Sequence, residues 1–124
     1  GDLAFFDADD FLWFQGRKKL IIVRNGSNLA PVAVERVLFE HEKVQAVVVV
    51  GVPDHAEGEV PVALVVPKVF PLTERELQEH ASKALASYER PVRYWFRSEM
   101  PMNSVGKFDR SALKAEAVAL MAGA

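Results

Sequence analysis

Two valine-rich runs, at residues 44–52 and 60–66, constrain the fold of this chain more than any other feature of its sequence. Both are rich in β-branched residues and carry almost no polar side chain, which is typical of strands buried on both faces. The turn-forming residues 51–59 leave only a short connection, so the two strands are predicted to pair antiparallel. Because proline cannot donate a hydrogen bond to a ladder, we expect Pro61 to lie away from a central ladder position.

The first helix is predicted over residues 31–41. Its apolar face follows from a spacing of three and four residues at Val34, Val37, Leu38 and His41. Pro31 fits the first turn of this helix, where a missing N–H costs nothing. We interpret His41 as a boundary or partly buried residue rather than as a metal ligand.

Two further helices and a third strand are predicted in the second half of the chain. Thr73 and Glu76 form a capping box that starts the second helix. Its apolar face is expected at Leu77, Ala81, Ala84, Leu85 and Tyr88.

The aromatic run at residues 94–96 predicts a strand. After a loop, a last helix of about ten residues is expected, with Asp109 or Ser111 as its N-cap. Its apolar positions are Leu113, Ala117 and Leu120.

Two aromatic-rich runs around an aspartate-rich break, at residues 3–15, predict a β-hairpin near the start of the chain. The predicted fold class is therefore α+β: an N-terminal β-hairpin followed by a small three-stranded sheet with helices packed on it. At 124 residues the chain is expected to form one domain.

Composition excludes several classes of function. A formal net charge of −2 argues against a nucleic-acid partner. The absence of cysteine removes disulfides and thiolate chemistry and fits a cytoplasmic protein. The three histidines show no metal-ligand spacing, so no metal site is predicted. The apolar runs are shorter than a membrane-spanning helix, which needs about 20 residues, so we expect no integral membrane segment.

The first residue is Gly rather than Met, and we therefore expect this sequence to be a piece of a longer chain.

Residues 16–31 combine a cationic run, a short apolar strand at residues 20–23, a turn and a helix start. The Asn25-Gly26 turn is expected to need positive φ. A basic entrance beside such a turn can bring cations and backbone N–H groups close to an anionic ligand. The alternative is an ordinary strand, turn and helix with solvated cations, and this stretch alone leaves both open.

Gly106-Lys107 suggests a phosphate contact, because a lysine beside a glycine can approach an anion without a side-chain clash. It is not a Walker A loop, since Pro101 stands where that motif needs Gly and Phe108 where it needs Ser or Thr. Alone, this dipeptide is a weak signal, and a plain surface loop is the more common explanation of it.

Four segments, at residues 1–2, 16–35, 51–59 and 101–110, match one family's motifs in order and at the right spacing. The chain resembles the small C-terminal domain of the adenylate-forming superfamily, which includes acyl-CoA synthetases, peptide-synthetase adenylation domains and luciferases. This resemblance implies activation of a carboxylic acid by ATP as acyl-AMP, followed by transfer to coenzyme A. It also implies a larger N-terminal domain, absent from this chain, that holds the acyl pocket, most of the nucleotide site and Mg²⁺.

The resemblance also implies roles for single residues. Lys107 matches the catalytic lysine of the first step, Asp2 the residue that binds the ribose hydroxyls, and Arg17 a residue close to the nucleotide. Lys19 matches the hinge about which the small domain rotates. Asn25 and Gly26 match the loop that lines the pantetheine tunnel in the second step.

Four positions depart from the family pattern. Leu20 replaces an acid after the hinge, and Ala33 replaces the first acid of the Pro-x-Glu-x-Glu segment. Asn25 stands where many relatives have Gly, and Asn103 where Thr is common. None of these removes a residue that contacts the nucleotide, so we expect the parent protein to be an active enzyme and the fragment alone to be inactive.

Two alternatives stay open at this point. One is a peptide-synthetase adenylation domain, although Asn28-Leu29-Ala30-Pro31 favours the acyl-CoA synthetase branch. The other is a non-catalytic binding module of the same ancestry.

Overall fold

The computed structural model describes residues 21–123. The predicted hairpin at residues 3–15 lies outside them. The described elements are, in order, β1 (Ile22–Arg24), β2 (Ser27–Leu29), α1 (Pro31–Phe39), β3 (Val44–Asp54), β4 (Gly58–Pro67), α2 (Glu74–Ala84), a short 3-10 helix (Ser87–Glu89), β5 (Arg93–Phe96) and α3 (Arg110–Gly123).

The two valine-rich runs form β3 and β4, which pair antiparallel as predicted. On its other side, β4 pairs with β1 at Gly58 and, in parallel, with β5 from Val62 onwards. The α+β class is confirmed, but the described part of the chain contributes five strands to the sheet rather than three. The difference arises because β1 and β2 form a hairpin that joins the sheet, and β2 is too short and polar to give a strand pattern.

Pro61 lies inside β4, where it is opposite Gly51 of β3. Its carbonyl accepts a hydrogen bond from the Val92 N–H at 2.9 Å, so it is directed away from β3. The nitrogen and the carbonyl of one strand residue are directed to the same side, so the Pro61 nitrogen is also directed away from β3. That side is the gap between the pairings with β1 and β5, so the missing N–H removes no ladder bond.

Alternate residues of β3 and β4 face two separate hydrophobic layers, which explains why both strands are almost wholly apolar. One layer packs against α1 and α2; its members include Val34, Leu38, Val49, Val65, Leu77 and Ala81. The other packs against α3; its members include Val48, Val50, Val62, Leu64, Leu113 and Ala117. Each buried Val or Leu contributes about 1.5–3 kcal/mol of transfer free energy.

The predicted helices are present at the predicted places, but the first one ends earlier than predicted. α1 begins at Pro31 and ends at Phe39, two residues before His41, which is half-buried against the His80 ring. The capping box of α2 is present: Thr73 Oγ1 accepts from the Glu76 N–H at 3.2 Å, and Glu76 Oε1 accepts from the Thr73 N–H at 3.0 Å.

Three residues expected on apolar helix faces are exposed instead. Ala84 ends α2, and Tyr88 lies beyond that helix in the 3-10 turn, so neither continues its buried face. Leu120 is 39% exposed because the packed face of α3 runs through Leu113, Ala117 and Met121, and Leu120 lies off that face. Within residues 21–123, no helix combines the length and the apolar character that crossing a bilayer requires.

Candidate functional site

The structure describes three of the residues to which the sequence assigned a role. Asn25 and Gly26 form the turn between β1 and β2, and Lys107 lies on the exposed loop that precedes α3. Asp2, Arg17 and Lys19 lie outside the described residues. Neither Asn25 nor Gly26 lines the concavity around Lys107, so the structure presents two separate candidate regions.

The Lys107 loop is a small hairpin that is closed at its base. Met102 and Phe108 form an antiparallel bridge, and the Asp109 N–H donates to the Pro101 carbonyl at 2.8 Å. Gly106 lies at the turn with φ +83°, and a Cβ there would meet nothing within 4 Å. Backbone conformation, rather than lack of space, therefore explains the glycine beside the lysine.

Arg110 ties the end of this loop to the sheet. Its Nη2 lies 2.7 Å from Glu35 Oε1, and the side chains are 33% and 14% exposed. The backbone of Val49 in β3 completes the cluster: its N–H donates to Glu35 Oε2 at 2.7 Å, and its carbonyl accepts from Arg110 Nη1 at 3.4 Å. Helix α1, strand β3 and the start of α3 are thus joined through one partly buried ion pair.

Helix α3 begins directly after the loop, and Asp109 caps it. Asp109 Oδ1 accepts from the Ala112 N–H at 3.0 Å, which decides between the two predicted N-caps. Ser111 lies inside α3, whose 14 residues exceed the predicted length. The bridge between Met102 and Phe108 therefore closes the loop, and a helix start follows it directly. Both features limit the length that the loop can have.

An open concavity of about 640 Å³ surrounds the loop. Its lining residues are Met102, Asn103, Gly106, Lys107, Phe108, Asp109, Arg110 and Ser111. Since Arg110 is paired with Glu35, Lys107 is the cation on this surface that an anionic ligand could engage without breaking that pair. A lysine is a mobile point charge that suits the oxygens of a phosphoryl group.

The Asn25-Gly26 turn has the predicted backbone. Asn25 has φ 52° and Gly26 φ 80°, the two positive values that favour Asn-Gly in a tight hairpin. The Asn25 N–H donates to the Glu57 carbonyl at 2.8 Å, so the turn is fastened to the connection between β3 and β4.

Arg24 anchors this turn from one residue away. Its Nε donates to Glu57 Oε1 at 2.6 Å and its Nη2 to Glu57 Oε2 at 3.3 Å. Its Nη1 donates to the carbonyls of Tyr88 and Arg90 at 3.2 and 3.3 Å. The Arg24 side chain is only 14% exposed. This fork geometry fixes both ends of the guanidinium, which a lysine could not reproduce.

Sequence reasoning missed both ion pairs. Arg24 and Glu57 are 33 residues apart, and Glu35 and Arg110 are 75 residues apart. A signal for the second pair was present: Glu35 and Arg110 are the last residues of two of the four motif segments. Opposite charges at the ends of two motifs can indicate that the segments meet.

The perturbed titratable groups lie on α2 and β5 rather than at either candidate region. The hydrogen bond from Lys43 and the capping bond from the Thr73 backbone lower the pKa of Glu76. Burial, followed by the charge of Glu74, raises the pKa of Tyr94, whose hydroxyl has no hydrogen-bond partner among the described residues. Nor do residues 21–123 bring together three His, Cys, Asp or Glu side chains that could hold a metal ion.

Comparison with known proteins gives concordant findings. The family model described as "AMP-binding enzyme C-terminal domain" matches residues 33–107. The chain is 42% identical over 117 residues to a long-chain-fatty-acid–CoA ligase of Bacillus subtilis, covering 94% of this chain and 21% of the ligase. It is 37% identical over 114 residues to a 2-succinylbenzoate–CoA ligase of Bacillus cereus, covering 92% and 23%.

Solved structures show the same fold. A fatty acyl CoA synthetase of Mycobacterium tuberculosis superposes with a TM-score of 0.76 at 30% identity, over 81% of this chain and 20% of that one. Apo MatB from Rhodopseudomonas palustris gives a TM-score of 0.78 at 27% identity, over 83% and 21%. The chain thus spans about a fifth of the length of the relatives it matches.

Proposed function

Because this chain belongs to the AMP-binding enzyme C-terminal domain family, we propose that it is the mobile C-terminal domain of a longer acid–thiol ligase, an AMP-forming acyl-CoA synthetase. The observation that supports this most strongly is the match to CoA ligases over more than nine tenths of the chain. On this proposal residues 1–124 are the lid of the enzyme, and a larger N-terminal domain is its main partner.

The proposed reaction has two steps. A carboxylate oxygen of the acid attacks the α-phosphorus of ATP, and the bond to pyrophosphate breaks to leave acyl-AMP. The thiol sulfur of coenzyme A then attacks the acyl carbon, and AMP leaves as the thioester forms. ATP and coenzyme A are therefore the proposed co-substrates, with a carboxylic acid as the variable one.

Lys107 is the residue proposed to act in the first step. The transition state of phosphoryl chemistry carries negative charge on its equatorial oxygens, which a positioned ammonium group stabilises. Lys107 lies on an exposed loop, which supports this role because a second domain could reach it. Rotation of the small domain would bring this charge to the nucleotide for adenylation and withdraw it afterwards.

The Asn25-Gly26 turn is proposed to act in the second step, as a wall of the pantetheine tunnel. Gly26 has open space around its Cα, which allows close approach of a thin ligand. The contacts of Arg24 hold this wall in one place. On this proposal Asp2 binds the ribose hydroxyls, Arg17 lies close to the nucleotide, and Lys19 is the hinge about which the small domain rotates.

The described residues do not fit a magnesium site, since they contain no cluster of three ligating side chains. On this proposal Mg²⁺ accompanies ATP on the N-terminal domain.

The test is carboxylate-dependent exchange of labelled pyrophosphate into ATP by the full-length parent protein, over a panel of fatty and aromatic acids. Lys107→Ala is compared with Lys83→Ala, which removes an exposed lysine of α2 in the other layer. We expect exchange by wild type and by Lys83→Ala, and a loss of about 100-fold or more in Lys107→Ala.

Other results would redirect the proposal. Exchange that survives in Lys107→Ala would remove this lysine from the first step. No exchange with any acid would favour a non-catalytic module. Exchange followed by transfer to a carrier protein, rather than to coenzyme A, would identify a peptide-synthetase adenylation domain.

A further inference from the structure

Asn103 lies four residues before Lys107 and contacts the backbone of that lysine from both sides. The Asn103 N–H donates to the Lys107 carbonyl at 2.8 Å, and the side-chain Oδ1 accepts from the Lys107 N–H at 3.1 Å. The same Oδ1 accepts from the Val105 N–H at 3.0 Å, and the Asn103 carbonyl accepts from the Gly106 N–H at 3.1 Å. One residue therefore organises the whole turn.

Burial of side chains does not explain why this loop adopts one conformation. Residues 102–108 are all exposed, with Val105 73% and Met102 53% accessible. Packing fixes a loop only where apolar area leaves water, and this turn keeps a large part of its area in water. Its conformation depends instead on local hydrogen bonds, and two of the four that Asn103 makes come from its side chain.

The side-chain bonds are those a substitution can remove. Asparagine suits the position because its carbonyl can bond backbone N–H groups a few residues further on, which a turn otherwise leaves unpaired. Without that acceptor, the N–H groups of Val105 and Lys107 would turn to water. The backbone around Gly106, already at positive φ, would then sample other conformations.

We propose that Asn103 is a positioning residue for Lys107: its Oδ1 holds the lysine backbone in the one conformation from which the ammonium group reaches the α-phosphate. This rests on the proposed function, because it assigns Asn103 to the adenylation step that Lys107 is proposed to serve. Asn103 itself contacts neither substrate nor nucleotide on this proposal.

The position of Lys107 matters more than the stability of its loop. Catalytic groups act from near-attack geometry, and a displacement of about 1 Å can cost about 100-fold in rate. Since Lys107 acts in the transition state, loss of its placement lowers kcat of adenylation more than it raises KM for ATP. The thioester step, which does not use Lys107 on this proposal, is left unchanged.

The experiment uses the full-length protein and two substitutions of Asn103. Asn103→Leu keeps the size and removes the acceptor, whereas Asn103→Thr keeps an uncharged acceptor that bonds backbone N–H groups more weakly. Ser104→Ala, in the same loop, is the control. Pyrophosphate exchange gives kcat and KM for adenylation, and thioester formation from added acyl-AMP measures the second step. Thermal melting checks that each variant is folded.

We expect Asn103→Leu to lose about 10- to 100-fold in kcat of exchange, Asn103→Thr to lose less, and Ser104→Ala to match wild type. All should form thioester from acyl-AMP at the wild-type rate and melt at the wild-type temperature.

Three results would overturn the inference, and they differ from failure of the proposed function. Exchange by Asn103→Leu at the wild-type rate would show that the amide does not place Lys107. Equal losses in both steps would show a general structural role, and so would a Thr variant no better than Leu. If wild type itself shows no exchange, or if Lys107→Ala still shows it, the proposed function is wrong. The positioning role of Asn103 is then wrong as well, because it depends on Lys107 acting in adenylation.

Discussion

The Asn25-Gly26 turn and the Lys107 loop are both exposed turns with a glycine at positive φ, yet they are held in different ways. The first is bonded to distant parts of the chain: the Asn25 N–H reaches Glu57, and Arg24 reaches Glu57, Tyr88 and Arg90. Among residues 21–123, the second is bonded mainly to itself, through Asn103, and Arg110 ties its foot to the sheet.

This difference matches what the two turns are proposed to do. A tunnel wall must stay fixed relative to the sheet, and long-range contacts with a partly buried arginine provide that. A catalytic lysine that approaches a second domain must extend from the surface. Its loop can be well ordered internally without being packed down. Arg24 anchors the first turn, and the Glu35–Arg110 pair anchors the foot of the second.

The largest effect on stability is expected from the anchor of the first turn. Arg24→Ala leaves the partly buried Glu57 carboxylate without its partner and two carbonyls without a donor, so we expect a loss of about 2–4 kcal/mol in the free energy of unfolding. Urea unfolding of the chain measures it. Arg75→Ala, which breaks the exposed pair with Glu79, should cost no more than about 0.5 kcal/mol. A loss in Arg24→Ala as small as that would contradict the anchoring role.

A smaller effect is expected at the foot of the Lys107 loop. Glu35→Gln keeps an acceptor for the Val49 N–H but removes the charge opposite Arg110, so we expect a loss of about 1–2 kcal/mol. Amide hydrogen exchange at Val49 should be faster to a similar degree. If Glu35→Gln is neutral by both measurements, the ion pair does not fasten this loop to the sheet.

The smallest effect on the free energy of unfolding is expected at Tyr94, which lies outside both turns. It is the reference value for the two anchor substitutions. Tyr94→Phe removes a buried hydroxyl that has no partner among the described residues, so we expect unchanged or slightly greater stability, by up to about 1 kcal/mol. Neither half-reaction should change. A clear loss of stability would mean that the hydroxyl does find a partner.

The same variant tests a pH dependence. Burial raises the pKa of Tyr94 above the value of about 10 for an unfolded tyrosine. Above pH 10, therefore, the unfolded chain loses this proton while the folded chain keeps it, and stability falls as the pH rises. The slope of stability against pH above 10 should be shallower in Tyr94→Phe than in wild type.

The parts of the fold that could be predicted from sequence are those with a local cause. The valine runs specify buried strands, Asn25-Gly26 specifies a positive-φ turn, and Thr73 with Glu76 specifies a helix start. The parts that could not be predicted depend on distant partners. No local pattern pairs β5 in parallel with β4, or sends β2, with its polar Ser27 and Asn28, into a sheet.

The candidate site follows the same division. The glycine beside Lys107 is visible in the sequence, and the family motif marks the lysine. The bonds of Asn103 are local, but they depend on a turn geometry that composition alone does not give. The Arg24 and Arg110 pairs join residues brought together only by the tertiary fold.

The central claim is that the two turns serve different half-reactions, and two matched substitutions test it most directly. Gly26 and Gly106 have φ values of +80° and +83° with open space at each Cα, so alanine imposes the same kind of strain at both, about 1–2 kcal/mol. In the full-length protein, pyrophosphate exchange and thioester formation from acyl-AMP are measured for Gly26→Ala and Gly106→Ala. We expect Gly106→Ala to slow only exchange and Gly26→Ala to slow only thioester formation, each by about 10-fold. Equal losses in both steps for both variants would contradict the claim.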